Sequence, residues 1–290
     1  MNKPYHVKGL HDKMLLKTNE KQFRLSNRFS KERNFKELAD FDFSGVNCSI
    51  ITNNQKNNIE ILFPYSTEIK LKPDWRLTLG LGGASVFETD ITLHHTYGVP
   101  YIPASSIKGV VRSYIIEEQF DNDEAAAIMD EVFCDIFGCS KEHEIHIKGN
   151  DGKVRKNKKL SWYGKNMPKK PERRGAIHFF DAFPMETKDI QISMDIMNVH
   201  YKDYYDAVKK DGKYKEEKVK PPADWSNPTI INFLTIKKAT FQFLLASKDG
   251  NLTTLKIQEK TIEEWLTEAL ENHGIGAKTA VGYGYMSESK

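Results

Sequence analysis

Between Gly274 and Tyr285 the chain reads GIGAKTAVGYGY, which sets Gly274, Gly276, Gly282 and Gly284 around Lys278 and Thr279. Glycine lets backbone N–H groups converge on a bulky anion and takes positive φ without steric penalty. The run therefore reads as a grip on a phosphate backbone. Two nucleotide-loop patterns are excluded by its letters. A Walker loop needs glycine directly before Lys-Ser/Thr, where Ala277 stands, and a dinucleotide fingerprint needs glycine at Thr279 with a helix after the loop. A second cationic group gathers Ser105, Ser106, Lys108, Gly109 and Arg112. Lys108 falls in the first turn of a predicted helix, where the dipole disfavours a cation by roughly 0.3–1 kcal/mol. An anion held by the helix N–H groups and neutralised by the lysine would remove that penalty.

Other residue types invite other chemistry. His94 and His95 could serve as acid and base in metal-free RNA cleavage, with the ribose 2′-OH as nucleophile. Neighbours in an extended segment point to opposite faces, so one exposed and one packed ring is expected rather than a working pair. Cys134, Cys139, His143 and His146 offer sulfur and nitrogen ligands, but their spacing departs from that of paired zinc ligands, so no metal is expected. No cofactor is expected either.

At 290 residues the chain can bury a large core, and its net charge is only +3. The charge is unevenly spread. From Lys148 to Arg174 there are eleven Lys or Arg, among them Lys156, Lys158, Lys159, Arg173 and Arg174, against Asp151 and Glu172. A basic segment on a mildly acidic body suits a polyanion. Three cysteines without a regular framework suggest a reducing compartment. The first residues contain no apolar signal core, and no run approaches the length that spans a bilayer. A soluble, cytoplasmic protein is expected.

These groups need elements to position them. Residues 1–74 read as an N-terminal arm, with its first 45 residues polar, and 75–290 as one domain with a basic insertion at about 140–174. Trp75–Gly80 alternates like a strand. Ser105 is a plausible N-cap for a helix with apolar Ile107, Val110, Val111, Tyr114 and Ile115, and a second helix runs from Asp123 to Gly138. Strands are predicted at Gly175–Asp181, Ile190–Met197, Ile230–Lys237 and Thr240–Ala246, with a loop over Tyr201–Asp224. A capping box, Thr261 to Glu264, opens a helix that buries Ile262, Trp265, Leu266, Ala269 and Leu270. Gly274 ends it, and Val281–Met286 is the last strand, where Tyr283 and Tyr285 share a face with Val281. The order matches an α+β split βαβ, or ferredoxin-like, layout: an antiparallel sheet with helices on one face and the other face open.

The pairing of YIPASSIKGVVR (Tyr101–Arg112) with GIGAKTAVGYG (Gly274–Gly284) resembles the RAMP superfamily of CRISPR-associated proteins. More narrowly, HHTYGVPYIPASSIKG, GAIHFFDAFP and PPADWSNPTIINFLTI resemble the sixth-subunit family of type III-B (Cmr) effector complexes, over about Leu93 to Met286. The resemblance implies an RRM-like RAMP fold and a subunit of an RNA-guided complex in antiviral defence. Such a subunit sits near the 3′ end of the guide RNA and caps the backbone stack. Its implied partners are guide (CRISPR) RNA, target RNA and the other Cmr backbone and small subunits, with no membrane. Carried over, Ser105, Ser106, Lys108, Gly109, Arg112, Gly274, Gly276, Lys278, Thr279 and Gly282 line the RNA groove. His94, His95, Lys156, Lys158, Lys159, Arg173, Arg174 and Tyr283 are further RNA or interface candidates. Where the family often has glycine, this chain has Ala104. Neither Asp90 nor Asp181 matches the loop aspartate with which related backbone subunits cut target RNA, so no catalytic residue is implied. The alternatives are a metal-independent endoribonuclease processing guide precursors and a pure protein–protein adaptor.

Overall fold

The computed structural model describes residues 42–83, 89–139, 142–148, 154–161, 173–199 and 228–289, with backbone only for 142–148, 154–161 and 199. The described elements begin with helix α1 (Cys48–Leu62), opened by the Asn47 side chain accepting from the Ile50 N–H, and strand β1 (Tyr65–Pro73). Both lie inside the stretch that the sequence reading assigned to an arm. Ile69 and Leu71 of β1 are core residues, and the expected strand at Trp75–Gly80 is reduced to a bridge between Leu77 and Ile236.

Helix α2 (Ala104–Gln119) follows, then α3 (Glu124–Met129) and α4 (Glu131–Phe137). The last two were expected as one helix. Asp130 breaks it by adopting an extended conformation and capping the Phe133 N–H. Gly138 still ends the segment, at φ 87°. The basic insertion is not wholly irregular: β2 (Gly138–Cys139), β3 (Glu142–Lys148), β4 (Val154–Ser161) and β5 (Arg173–Arg174) make two antiparallel ribbons, β3 with β4 and β2 with β5. Cross-strand pairing, which a single-segment reading cannot see, organises these charged residues.

Beyond them come β6 (His178–Phe179), β7 (Phe183–Pro184), β8 (Gln191–Val199), β9 (Thr229–Lys238) and β10 (Phe241–Ser247). A short helix α5 (Asn251–Thr254), the hairpin β11 (Lys256–Ile257) with β12 (Lys260–Thr261), helix α6 (Ile262–Asn272) and β13 (Met286–Glu288) complete the order. The Tyr201–Asp224 loop lies outside the described residues. Both halves of the predicted capping box are present at Thr261 and Glu264, and α6 buries the five residues foreseen. The last strand is shorter and later than expected, because Thr279–Val281 forms a single 3-10 turn instead.

The main sheet runs β13–β1–β10–β6, with β7 also on β10, and every pairing is antiparallel. One face presents Ile69, Leu71, Phe241, Phe243 and Leu245 to Ile107, Val111 and Ile115 of α2 and Leu266 and Leu270 of α6. Each such side chain contributes about 1.5–3 kcal/mol by leaving water. The other face is not open. Ile59 and Phe63 cover Leu244 and Ala246, while Lys56 pairs with Glu68 at 2.7 Å and Gln242 donates to the same carboxylate. An RNA strand cannot lie on this part of the sheet as it does on an uncovered one, so a ligand must be met at its ends and edges.

Candidate nucleic-acid interface

Helix α2 begins one residue earlier than its expected cap. Pro103 is the N-cap and supplies no side-chain bond; the Asp181 carboxylate, at the end of the β6 segment, accepts the Ala104 N–H at 2.7 Å. A fixed anion thus already serves the helix start. Ser105, Ser106, Gly109 and Ser113 form an exposed stripe of small residues along α2, with Lys108 and Arg112 half-buried beside it.

These two cations reach a groove of about 800 Å³ whose lining includes Ser105, Lys108, Arg112, Arg174, His178 and Phe179. Lys108 donates to the Phe137 carbonyl at 2.9 Å, one of the terminal carbonyls of α4. No carboxylate among the described residues lies within ion-pair distance of it. Burial, and then the Arg112 charge, lower its pKa from the usual lysine value. Arg112 pairs with Glu124 at 2.7 Å and lies over the Phe133 ring. Arg173 is held by Asp135 and the Glu131 carbonyl, so β5 delivers the exposed Arg174 to the groove on a fixed backbone. Among the described residues, four Lys or Arg side chains thus line the space against one carboxylate, Glu124. His178 completes the set, and its pKa is lowered by burial and by the cations Lys248 and Lys108. The sequence reading missed it; the signal was a lone polar ring in the apolar run Ile177–Phe180.

The glycine run is arranged differently. Gly274 closes α6 at φ 73° and donates to Ala269 O. The N–H groups of Ile275, Ala277, Val281, Gly282, Tyr283 and Gly284 all donate to backbone carbonyls within the protein. Among the described residues, the amides of Gly276, Lys278, Thr279 and Ala280 have no such acceptor. Gly284 is required by packing, since a Cβ there would stand 2.0 Å from the Ile275 carbonyl oxygen; at Gly282 a Cβ would meet nothing within 4 Å. Lys278 takes a left-handed conformation at φ 65° and holds its ammonium 5.4 Å from the centre of the Phe233 ring on β9. Tyr283 is buried and donates to Asp195 at 2.6 Å, and Asp195 also accepts from Arg76 at 2.7 Å. Burial and that carboxylate push the Tyr283 phenol up to about 12. Ser105, Lys108, Arg112, Arg173 and Arg174 therefore share one groove, whereas Lys278 and Tyr283 pack on β8 and β9 and Gly276 lies against Thr78 and Leu79. No hydrogen bond, ion pair or ring contact among the described residues joins Lys108 to Lys278.

The histidine expectation needs correcting in one respect: His95 is exposed and His94 packed, but not on opposite faces. His94 starts a turn in which Gly98 N–H donates to its carbonyl, and the turn brings the His94 and His95 rings to 4.6 Å rather than to opposite faces. His94 Nδ1 accepts from the Thr96 and Tyr97 N–H groups, and its ring packs on Tyr97, Tyr101 and Phe183. Asp90 accepts from its neighbour Ile91. Cys134 and Cys139 are buried next to each other; burial raises the Cys134 thiol to about 12, and it donates to Ile128 O. Such a thiol is neither a nucleophile nor a ready metal ligand at neutral pH. His143, His146, Lys156, Lys158 and Lys159 fall on β3 and β4, where only the backbone is described.

A mixed α and antiparallel β fold with a basic groove at a Ser-Lys-Gly helix start, and a glycine loop before its last strand, defines a class of protein. Residues 76–287 match the RAMP superfamily, and the chain belongs to that family. It is 36% identical over 242 residues to the CRISPR system Cmr subunit Cmr6 of Pyrococcus furiosus, covering 76% of this chain and 67% of that one. To the CRISPR system CMR subunit Cmr6 of Saccharolobus solfataricus it is 25% identical over 292 residues, covering 99% and 79%. A chain in the cryo-EM structure of the type III-B Cmr-beta complex bound to cognate target RNA shares the fold, with a TM-score of 0.57 at 22% identity over 90% of this chain and 71% of that one. Among the described residues, no helix is long and apolar enough to cross a membrane.

Proposed function

We propose that this chain is a non-catalytic, RNA-binding subunit of a type III-B Cmr effector complex, working in the cytoplasm beside the Cmr backbone and small subunits. In this reading it holds guide RNA near its 3′ end, caps the backbone stack and meets target RNA across the same assembly. The βαββαβ order of β1, α2, β6, β10, α6 and β13 is read as ferredoxin-like, with a basic insertion at about 140–174.

One observation carries the RNA assignment: Lys108 is a half-buried cation with a neutral carbonyl as its partner, beside Arg112 and Arg174 in an open groove. A phosphodiester entering there would relieve the unfavourable burial of the ammonium. Backbone contacts of this kind position a strand without reading its sequence, which suits a subunit that must accept any guide. The four amides at Gly276 and Lys278–Ala280 offer a second, weaker phosphate contact.

The test is the salt dependence of single-stranded RNA binding. Each lost phosphate contact flattens the slope of log K against log salt by about 0.7. Lys108→Ala combined with Arg112→Ala is expected to flatten it by one to two such steps, and an unchanged slope removes the assignment. The endoribonuclease alternative draws on the contact between the His94 and His95 rings. It would gain the lead if purified protein cut repeat RNA in EDTA and lost that cutting with His95→Ala.

A further inference from the structure

Trp75 is unlike the other described tryptophan. Trp265 is 1% exposed and donates its N–H to Ile257 O, whereas Trp75 is 51% exposed on the segment beside the glycine loop. Large aromatic surface left in water needs a reason when it is also held still.

Trp75 is held from both sides. Before it, the Asp74 N–H donates to the Tyr285 carbonyl at 2.9 Å; after it, the Arg76 carbonyl accepts from the Gly284 N–H at 2.7 Å. Its ring rests against Tyr283, with centroids 4.8 Å apart, and the Arg76 guanidinium lies 5.4 Å from its centre. Arg76 is in turn fixed by Asp195 and the Met194 carbonyl. Tyr283 continues the row to Phe233 at 6.0 Å, and Phe233 carries the Lys278 ammonium above it. One exposed ring, two buried rings and a cation thus follow one another from the surface into the loop.

The charges nearby favour an anionic ligand. Arg76 and Asp195 neutralise each other, and the exposed Lys72 and Asp74 are of opposite sign. Lys278 has no carboxylate within ion-pair distance among the described residues, and the amides of Lys278, Thr279 and Ala280 lie in the same loop as Tyr283. An exposed planar ring, with a lysine and unpaired amides two rings further along the same row, fits a single strand of RNA: a base on the ring and a phosphate on the loop. A protein partner would also accept a tryptophan anchor; a strand of RNA uses the ring, the lysine and the amides together, with bases and phosphates that every nucleotide carries.

We propose that Trp75 is a base-stacking platform for single-stranded RNA, with a phosphate of the same strand held at the Lys278–Ala280 edge of the glycine loop. The inference rests on the RNA-binding reading above and adds a contact to the base, which the basic groove does not supply.

The experiment compares oligo(A) RNA with an abasic oligomer of the same length, using the full chain. Trp75→Leu should weaken oligo(A) binding by about 5- to 160-fold, the range of one lost stacking contact. It should leave the salt slope and the affinity for the abasic oligomer unchanged. Trp75→Phe keeps a flat ring and should recover most of the affinity. Oligo(A), and not the abasic oligomer, should quench tryptophan fluorescence in the wild type, with a smaller quench in Trp75→Phe. Equal oligo(A) affinity of Trp75→Leu and the wild type overturns the proposal, as does equal loss on both oligomers, which marks a folding defect or an electrostatic role. Loss of a neighbouring subunit with RNA affinity intact overturns it in favour of a protein contact. A wild type that binds neither oligomer strikes the RNA reading itself, whereas Lys108-dependent binding that ignores Trp75 strikes this inference alone.

Discussion

The groove at the start of α2 and the loop after α6 are built from the same residue types, small residues around a lysine, yet they use them in opposite ways. In the groove, Gly109 sits on an exposed helix face where an added Cβ would meet nothing within 4 Å, and Lys108 is half-buried with only a carbonyl for company. In the loop, Gly276 and Gly284 are pressed against the carbonyls of Thr78 and Ile275, and most amides donate internally. A helix interior disfavours glycine by about 0.5–1 kcal/mol relative to alanine, so a glycine with no packing reason points outward. The difference separates two causes of a glycine-rich sequence: close approach within the chain, and close approach of something outside it.

The largest effect that tests this separation is on folding. Gly284→Ala would bring a methyl group within 2.0 Å of the Ile275 oxygen and force an L-residue to φ 79°. Overpacking and left-handed strain together should destabilise the chain by roughly 3 kcal/mol, read by urea or thermal unfolding. Gly282→Ala, with space on that side, should lose only the strain of about 1–2 kcal/mol. Equal losses at the two positions would break the contrast.

Tyr283→Phe comes next. Its hydroxyl bonds to a carboxylate, an interaction worth about 1.5–3 kcal/mol. The phenol pKa is raised to about 12 in the fold, above its unfolded value, so the neutral form is favoured. That stabilisation is complete below pH about 10 and is lost as pH rises through 12. The variant should be less stable at pH 7 and lose less further stability across that alkaline window. A variant whose alkaline profile matches the wild type would mean that Tyr283 does not sense Asp195.

Much of this was legible in the letters, and the failures have physical causes. The capping box at Thr261, the apolar face of α2 and the strands β8, β9 and β10 follow from local pattern, because cap chemistry and periodicity act within a few residues. β1 carries a local signal, Ile69 and Leu71 alternating with Lys70 and Lys72, that the arm assignment passed over; its pairing with β10, far along the chain, leaves none. The covered sheet face was unreadable for the same reason: Ile59 meets Leu244 only through the tertiary fold. At the candidate site, Ser105, Lys108 and Arg112 were legible from spacing, and the structure adds His178, and Asp181 at the helix start. A carboxylate that caps a helix from 77 residues away leaves no local trace. The free and occupied amides of the glycine run could not be told apart from its letters, because residue type does not report which carbonyls a loop's amides already serve.

The smallest effect is the sharpest discriminator, because its two readouts move in opposite directions. Gly109→Ala removes a poor helix former from an exposed position, so the free chain should gain about 0.5–1 kcal/mol of stability. If an RNA backbone lies against the stripe of Ser105, Ser106, Gly109 and Ser113, the new methyl group must push it away from Lys108 and Arg112. RNA affinity should then fall several-fold while the melting temperature rises, a combination that no folding defect produces. Gly109→Ala that is more stable and binds RNA as tightly as before would mean that nothing approaches this helix face closely. The groove's cations would then have to reach their phosphates from the β5 and β6 side, through Arg174 and His178.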